Sequence, residues 1–249
     1  MISLVALEGI PEIKPGDDLA AHIEAALAAA GIGLDERDIL VVTQKIVSKA
    51  EGRVVDLTSV TPRPEAVSWA EEWGKDARQV ELVLQESAEV LRRAPGGLII
   101  SRTRHGFVCA NAGVDLSNVG GGDWATLLPV DPDASARALR ERLGELAGAR
   151  PGVVISDSFG RPWRNGIVDV AIGCAGLEPL VDLRGSPDAD GRVMHSTVIA
   201  VADEIASAAD LAGGKVTHRP VVLVRGYGYE PGDGTATELV MDREHDLFP

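Results

Sequence analysis

Three polar clusters in this chain each follow an apolar run of strand length, and each carries side chains suited to an anion or to the cation that accompanies one. In VVISDSFGRPWRNG, residues 153–166, Asp157 and Ser158 leave the apolar run VVIS. A carboxylate beside a hydroxyl on a tight strand exit makes a half-site for a divalent cation that bridges phosphates. Gly160 lets the backbone turn closely, and Arg161 and Arg164 offer guanidinium forks that match carboxylate or phosphate. The competing reading is a structural aspartate cap followed by surface arginines. Trp163, between the arginines, suits stacking on a planar ligand and anchoring of the loop equally well.

The second cluster, TQKIVSKAEGR at 43–53, follows the apolar run ILVVT. It holds two of the chain's five lysines, Lys45 and Lys49, with Lys14, Lys75 and Lys215 elsewhere. An ammonium group neutralises phosphate as a point charge, and Gln44 or a serine can fix its orientation. The alternative is a solvated polar strand end, and the glycine-lysine signature of a P-loop is absent. In the third cluster, CANAGVDLSNV at 109–119, Asp115 is a hard oxygen donor for Mg²⁺ or Mn²⁺ and Asn118 an amide reader of ligand atoms. Aspartate and asparagine are also ordinary turn formers. Cys109 reads as a small buried hydrophobe, and the histidines lack the spacing of a zinc site.

The elements that must position these residues mix without strict alternation, which predicts an α+β fold rather than a doubly wound parallel sheet. Strands are predicted at 2–7, 39–43, 126–130 and 153–156, in a hairpin over 98–115 turning at His105-Gly106, and at RPVVLVRGYG. Helices are predicted over 18–30, over 133–147, and in VADEIASAADLAGG. The spacing of Val67, Ala70, Trp73, Val80, Leu82, Val83, Val90 and Leu91 predicts two helices across 64–93, broken at Gly74. A division near residue 95 is only weakly marked.

With 45% apolar residues, 249 residues suffice for a sizeable core. The net charge of −14 argues against generic nucleic-acid or anionic-membrane binding, so an anionic ligand must be captured locally. Two cysteines without CxxC spacing, an N-terminus unlike a leader and no run of about 18 apolar residues predict a cytoplasmic protein.

In order along the chain, GIPEIKPGDDL, VVTQKIVSKAEGR, ANAGVDLSNV, VISDSFGRPWRNG, VADEIASAADLAGGK and PVVLVRGYG resemble the coenzyme F420-0:L-glutamate ligases, also called F420-0 γ-glutamyl ligases. The resemblance runs from residue 9 to 229 and is to the stand-alone form, a single ligase domain over 1–249 with an unusual two-lobed α+β fold. It implies a GTP-dependent amide ligase that joins L-glutamate to the phospholactyl carboxylate of F420-0 through an acyl phosphate, then adds further γ-linked glutamate. It also implies a homodimer with the nucleotide near the subunit interface.

Position by position, the resemblance places Ile10, Pro11, Glu12, Ile13, Gln44, Lys49 and Asn118 against GTP. It makes Asp115, Asp157 and Ser158 ligands of Mg²⁺ or Mn²⁺, with K⁺ as a further cation. Ser158 stands where the family often has threonine, and Gln44 where some relatives have serine. Lys215 aligns with a glutamine or glutamate metal ligand of archaeal relatives, and a protonated lysine does not ligate. Arg161 and Arg164 are assigned to substrate carboxylates or the F420-0 phosphodiester from charge and position alone, as catalytic groups. The competing expectations are a ligase of the same mechanism for another acid and amine, and a silent nucleotide-binding module.

Overall fold

The computed structural model of the chain describes residues 1–117 and 122–245. The strands are β1 (Ser3–Ala6), β2 (Ile39–Thr43), β3 (Val54–Asp56), β4 (Ser87–Ala94), β5 (Leu98–Thr103), β6 (Val108–Ala110), β7 (Trp124–Thr126), β8 (Gly152–Arg161), β9 (Arg164–Ala175), β10 (Val181–Asp182), β11 (Val198–Ile199) and β12 (Val221–Arg225). The α-helices are α1 (Leu19–Ala29), α2 (Gln44–Ala50), α3 (Pro64–Trp73), α4 (Ala77–Glu86), α5 (Pro132–Ala147) and α6 (Val201–Gly213). The architecture is α+β.

A five-stranded sheet in the order β1-β12-β2-β8-β9 forms the larger lobe. β2 and β8 run parallel, and every other pairing in this sheet is antiparallel. ILVVT carries no alternation because both of its faces are covered. Leu40 and Val42 join the core under α1 and α5, while Ile39 and Val41 join the core under α6. α1 and α5 start where aspartates supply the missing acceptors: Asp18 accepts from the Ala21 amide and Asp131 from the Ala134 amide. α5 packs so closely on β9 that a Cβ at Gly173 would lie 2.4 Å from the Pro132 carbonyl oxygen.

The smaller lobe has its own core, with Leu57, Ala70, Val80, Leu82, Ile99, Val114 and Leu127 between α3, α4 and the antiparallel sheet β4-β5-β6. The chain enters this lobe after α2 and leaves it before α5. The seam is stitched at Arg53, whose Nε donates to the Leu128 carbonyl at 2.9 Å and whose guanidinium meets Glu86 at 2.7 Å. Residue 95 lies in the β4–β5 turn, inside this unit rather than between two units.

Four local expectations are corrected. Residues 87–94 form β4 instead of extending α4, because Ser87 turns extended (φ −86, ψ 129) and LIISRT offers an antiparallel partner. Gln44–Ala50 is a helix with a largely buried wall, not a solvated strand end. The strand expected at 126–130 is β7, three residues long and ending at Thr126. VVIS does not end in a loop, since β8 continues to Arg161 and returns as β9. Gly74 does end α3, in the left-handed region at φ 63, where glycine carries no steric cost. Among the described residues no helix is long and apolar enough to cross a membrane.

Candidate active site

A crevice opens where the parallel pair ends. Thr43 and Ser156 are the last partners of β2 and β8, after which β2 turns into α2 while β8 continues. Carboxyl ends of parallel strands are where open sheets with helices present ligand sites. Opposite this point β9 carries an extra residue, because Ile155 pairs with Gly173 and Ser156 with Ala171. Such a bulge bends the strand that carries it, here β9, just where Asp157 and Ser158 leave the paired apolar run of β8.

The resulting cavity of about 680 Å³ lies between the lobes. Ile10, Pro11, Glu12, Ile13, Gln44, Lys49, Asp115, Asp157 and Ser158 all line it, so these residues, up to 148 positions apart in sequence (158 − 10), share one space. Asn118 lies outside the described residues. Arg161 and Arg164 do not line the cavity: they face each other across the hairpin end, with Trp163 79% exposed at the turn. The reason is that β8 stays a strand past Ser158, so the glycine-bounded loop expected to swing the arginines inward does not form.

Three of the chain's five lysines line this cavity: Lys45, Lys49 and Lys215. Lys49 is 7% exposed and donates to Glu12 Oε1 at 2.5 Å. Gln44 is buried, its Oε1 accepting from Ser48 Oγ at 2.8 Å. Lys45 Nζ donates to Asp115 Oδ2 at 2.5 Å and to the Ser117 carbonyl at 2.8 Å. Burial works to raise the Asp115 carboxyl, but Lys45 and the Ser117 amide outweigh it and hold the group below its usual value.

Asp157 is in the opposite situation. Burial pushes its carboxyl up to about 7, and the negative charges of Asp169 and Asp115 add to that push. Cys109, also on the wall, is pushed up to about 12 by burial, with Asp157 contributing, and its thiol is not a nucleophile at neutral pH. Asp169 was not singled out from sequence, and Lys215 only as a lysine standing at a relative's metal-ligand position, yet the signal for Asp169 was present. It is the one acid in the apolar run VDVAIGCA, where a charge has no place unless partners await it.

The donor set suits a cation that also contacts a ligand. Among the described residues no three histidine, cysteine or acidic side chains converge to hold a metal ion by themselves. Mg²⁺ and Mn²⁺ at nucleotide sites typically take one or two carboxylates and complete their shell with phosphate oxygens and water. The carboxylates of Asp115 and Asp157 and the hydroxyl of Ser158 fit that pattern. The Ser158 oxygen already accepts from a cation, the ammonium of Lys215.

The sequence comparisons agree with one another. The family described as F420-0:Gamma-glutamyl ligase matches residues 9–226. The coenzyme F420:L-glutamate ligase of Methanothermobacter thermautotrophicus is 47% identical over 250 residues, spanning 99% of this chain and 98% of that protein. The protein of the same name from Methanopyrus kandleri is 42% identical, spanning 97% of this chain and 96% of its own. That from Methanocaldococcus jannaschii is 38% identical, spanning 99% and 96%.

Proposed function

The chain belongs to the F420-0:γ-glutamyl ligase family, and on that premise we propose that it joins L-glutamate to coenzyme F420-0 at the expense of GTP, with Mg²⁺ or Mn²⁺. The chain is a ligase of F420 biosynthesis that adds glutamate to F420-0. The nucleotide, the metal and the order of bond changes are the finer part of the proposal. Its main support is one observation: in a chain of net charge −14, three of five lysines and the carboxylates of Asp115 and Asp157 face a single cavity.

An amide does not form from a carboxylate and an amine without activation, because the carboxylate is a poor electrophile and oxide a poor leaving group. In the proposed route a carboxylate oxygen of the acceptor attacks the γ-phosphorus of GTP, the bond to the bridging oxygen breaks and GDP leaves. The neutral amine of glutamate then attacks the carbonyl carbon of the acyl phosphate, inorganic phosphate leaves with the C–O bond electrons, and the nitrogen gives up one proton to phosphate or water as the amide forms. Lys49, Lys45 and Lys215 bind and orient the triphosphate and offset the repulsion between it and the attacking anion. Asp115, Asp157 and Ser158 hold the divalent ion, which supplies Lewis-acid charge neutralisation when bound. Ile10, Pro11, Glu12 and Ile13 close one wall of the nucleotide pocket, and Gln44 fixes the first turn of α2 beneath the lysines. A homodimer, further γ-linked additions and a supporting K⁺ belong to the same reading.

The test is direct: protein, F420-0, GTP, L-glutamate and Mn²⁺ or Mg²⁺, with products resolved by mass spectrometry and GDP quantified. The expected outcome is a glutamylated product and stoichiometric GDP. GTP binding with neither product nor phosphate release would sink the proposal.

A further inference from the structure

Asp169 has no part in the route just described, yet both of its oxygens are committed at the cavity wall. It is 4% exposed. Its Oδ1 accepts the Ser158 hydroxyl at 2.6 Å and its Oδ2 accepts the Ser156 hydroxyl at 2.9 Å. The register explains both contacts: Ser158 lies directly across from Asp169 in the β8–β9 pair, and Ser156, two positions back, shares its face. Lys215 Nζ reaches the same Oδ1 at 3.1 Å and also donates to Ser158 Oγ. The peptide carbonyl of Asp169 accepts from Ser207 Oγ of α6 at 2.7 Å, so strand and helix together fix the residue.

The polarity of Ser158 follows from this arrangement. A hydroxyl has one proton and two lone pairs. With the proton donated to Asp169, Ser158 Oγ presents only lone pairs to the cavity, and the Lys215 ammonium seated on that oxygen shows it acting as an acceptor toward a cation. Were Asp169 unable to accept, the hydroxyl would rotate freely and could turn its proton toward a cation, which it would repel.

We propose that Asp169 is a positioning residue that fixes Ser158 Oγ as a cation acceptor and thereby sets the affinity of the site for its divalent ion. The proposal rests on the reading of Asp157 and Ser158 as part of that ion's seat. It assigns Asp169 the task of accepting a hydrogen bond, not of ligating, and the two roles separate by substitution. An asparagine still accepts the Ser158 proton through its Oδ1, whereas an alanine does not.

The experiment measures Mn²⁺ binding in the presence of GDP, from the electron paramagnetic resonance signal of the free ion, for the whole protein and its variants. Asp169→Ala and Ser158→Ala should each weaken Mn²⁺ binding about tenfold, the usual scale for groups that orient a metal ligand. The double variant should be no weaker than Ser158→Ala alone, and Asp169→Asn should stay close to the parent. Losses that multiply in the double variant, parent-like binding by Asp169→Ala, or Asp169→Asn failing as badly as the alanine variant would each overturn the proposal. Asp157→Asn tests the underlying reading. If it binds Mn²⁺ like the parent, the seat itself is misplaced; if it loses binding while Asp169→Ala does not, the seat stands and the positioning role falls. Should Asp169→Ala not fold, Asp169→Asn and Ser158→Ala carry the test: Asp169→Asn should bind Mn²⁺ like the parent and Ser158→Ala about tenfold more weakly, and a weakened Asp169→Asn or a parent-like Ser158→Ala would refute the assignment.

Discussion

Asp157 shows how a carboxyl group held at a cavity wall burdens the protein that carries it. Its folded-state carboxyl is raised to about 7 from an ordinary 3.8, first by burial and then by the neighbouring acids. Between those values the folded protein keeps a proton that the unfolded chain releases, so stability falls as pH rises through the window and stays low above it. Asp157→Asn removes that loss. It should raise the melting temperature of the metal-free protein at pH 8 by about 3 °C or more, and lower ligase turnover at least about a hundredfold. A variant that melts lower and still turns over would contradict both halves. At this scale the sequence was informative about ligand-type residues and silent about their partners. That Asp115, Asp157 and Lys49 would share a cavity was legible in part, since each lies in a polar stretch that follows an apolar run, although turn, cap and solvated-end uses fitted the same residues. Lys45 on Asp115 and Lys215 on Ser158 were not legible, because each pair spans tens of positions and only the folded chain brings its members together.

Among elements, β8 and β9 were the least legible part of the chain. The glycines, proline and paired arginines of FGRPWRNG carry the composition of a loop, and nothing in a single strand's sequence reveals that the returning strand can satisfy its backbone. The bulge at Ile172 is equally hidden, since it exists only as a mismatch between two strands. Helices were read more faithfully: Asp18, Asp131, Gly74 and Gly148 mark their ends by local chemistry. In the smaller lobe, Glu81 of α4 takes the Arg63 guanidinium and amide, and its hydrogen bonds to Arg63 hold its carboxyl down at about 2. That contribution is complete above pH 4.5, the ordinary glutamate value, and is lost as pH falls toward 2. Glu81→Gln should therefore destabilise the protein at pH 7 by about 2 kcal/mol and flatten the acid limb of its stability curve. Chemical denaturation at pH 7 and pH 3 checks this, and an equal loss at both would contradict it.

The whole molecule is acidic, yet its cavity concentrates lysines. A trianionic or tetraanionic nucleotide approaching from a distance meets the net charge of −14 before it meets Lys45, Lys49 or Lys215. Salt screens the distant repulsion more than the partly buried contacts. The association rate of GTP should therefore rise, by about twofold, between low and physiological ionic strength, and stopped-flow binding that slows with salt would refute this view. The α+β class and the family were legible along nearly the full length of the chain, whereas the lobe boundary was not. The insertion of the small lobe between α2 and α5 leaves no linker composition to read, because both crossings are short and packed.

That insertion makes the binding space a joint property. Its walls come from residues 10–13, 43–49, 156–158 and 214–220 on one side and from 109–117, Asp115 among them, on the other, so the space is complete only when the lobes are docked. A ligand seated there acts as a clasp across the seam that Arg53 stitches. By linkage it stabilises only the docked arrangement, so two lobes that could loosen separately should, when saturated, melt as one cooperative unit.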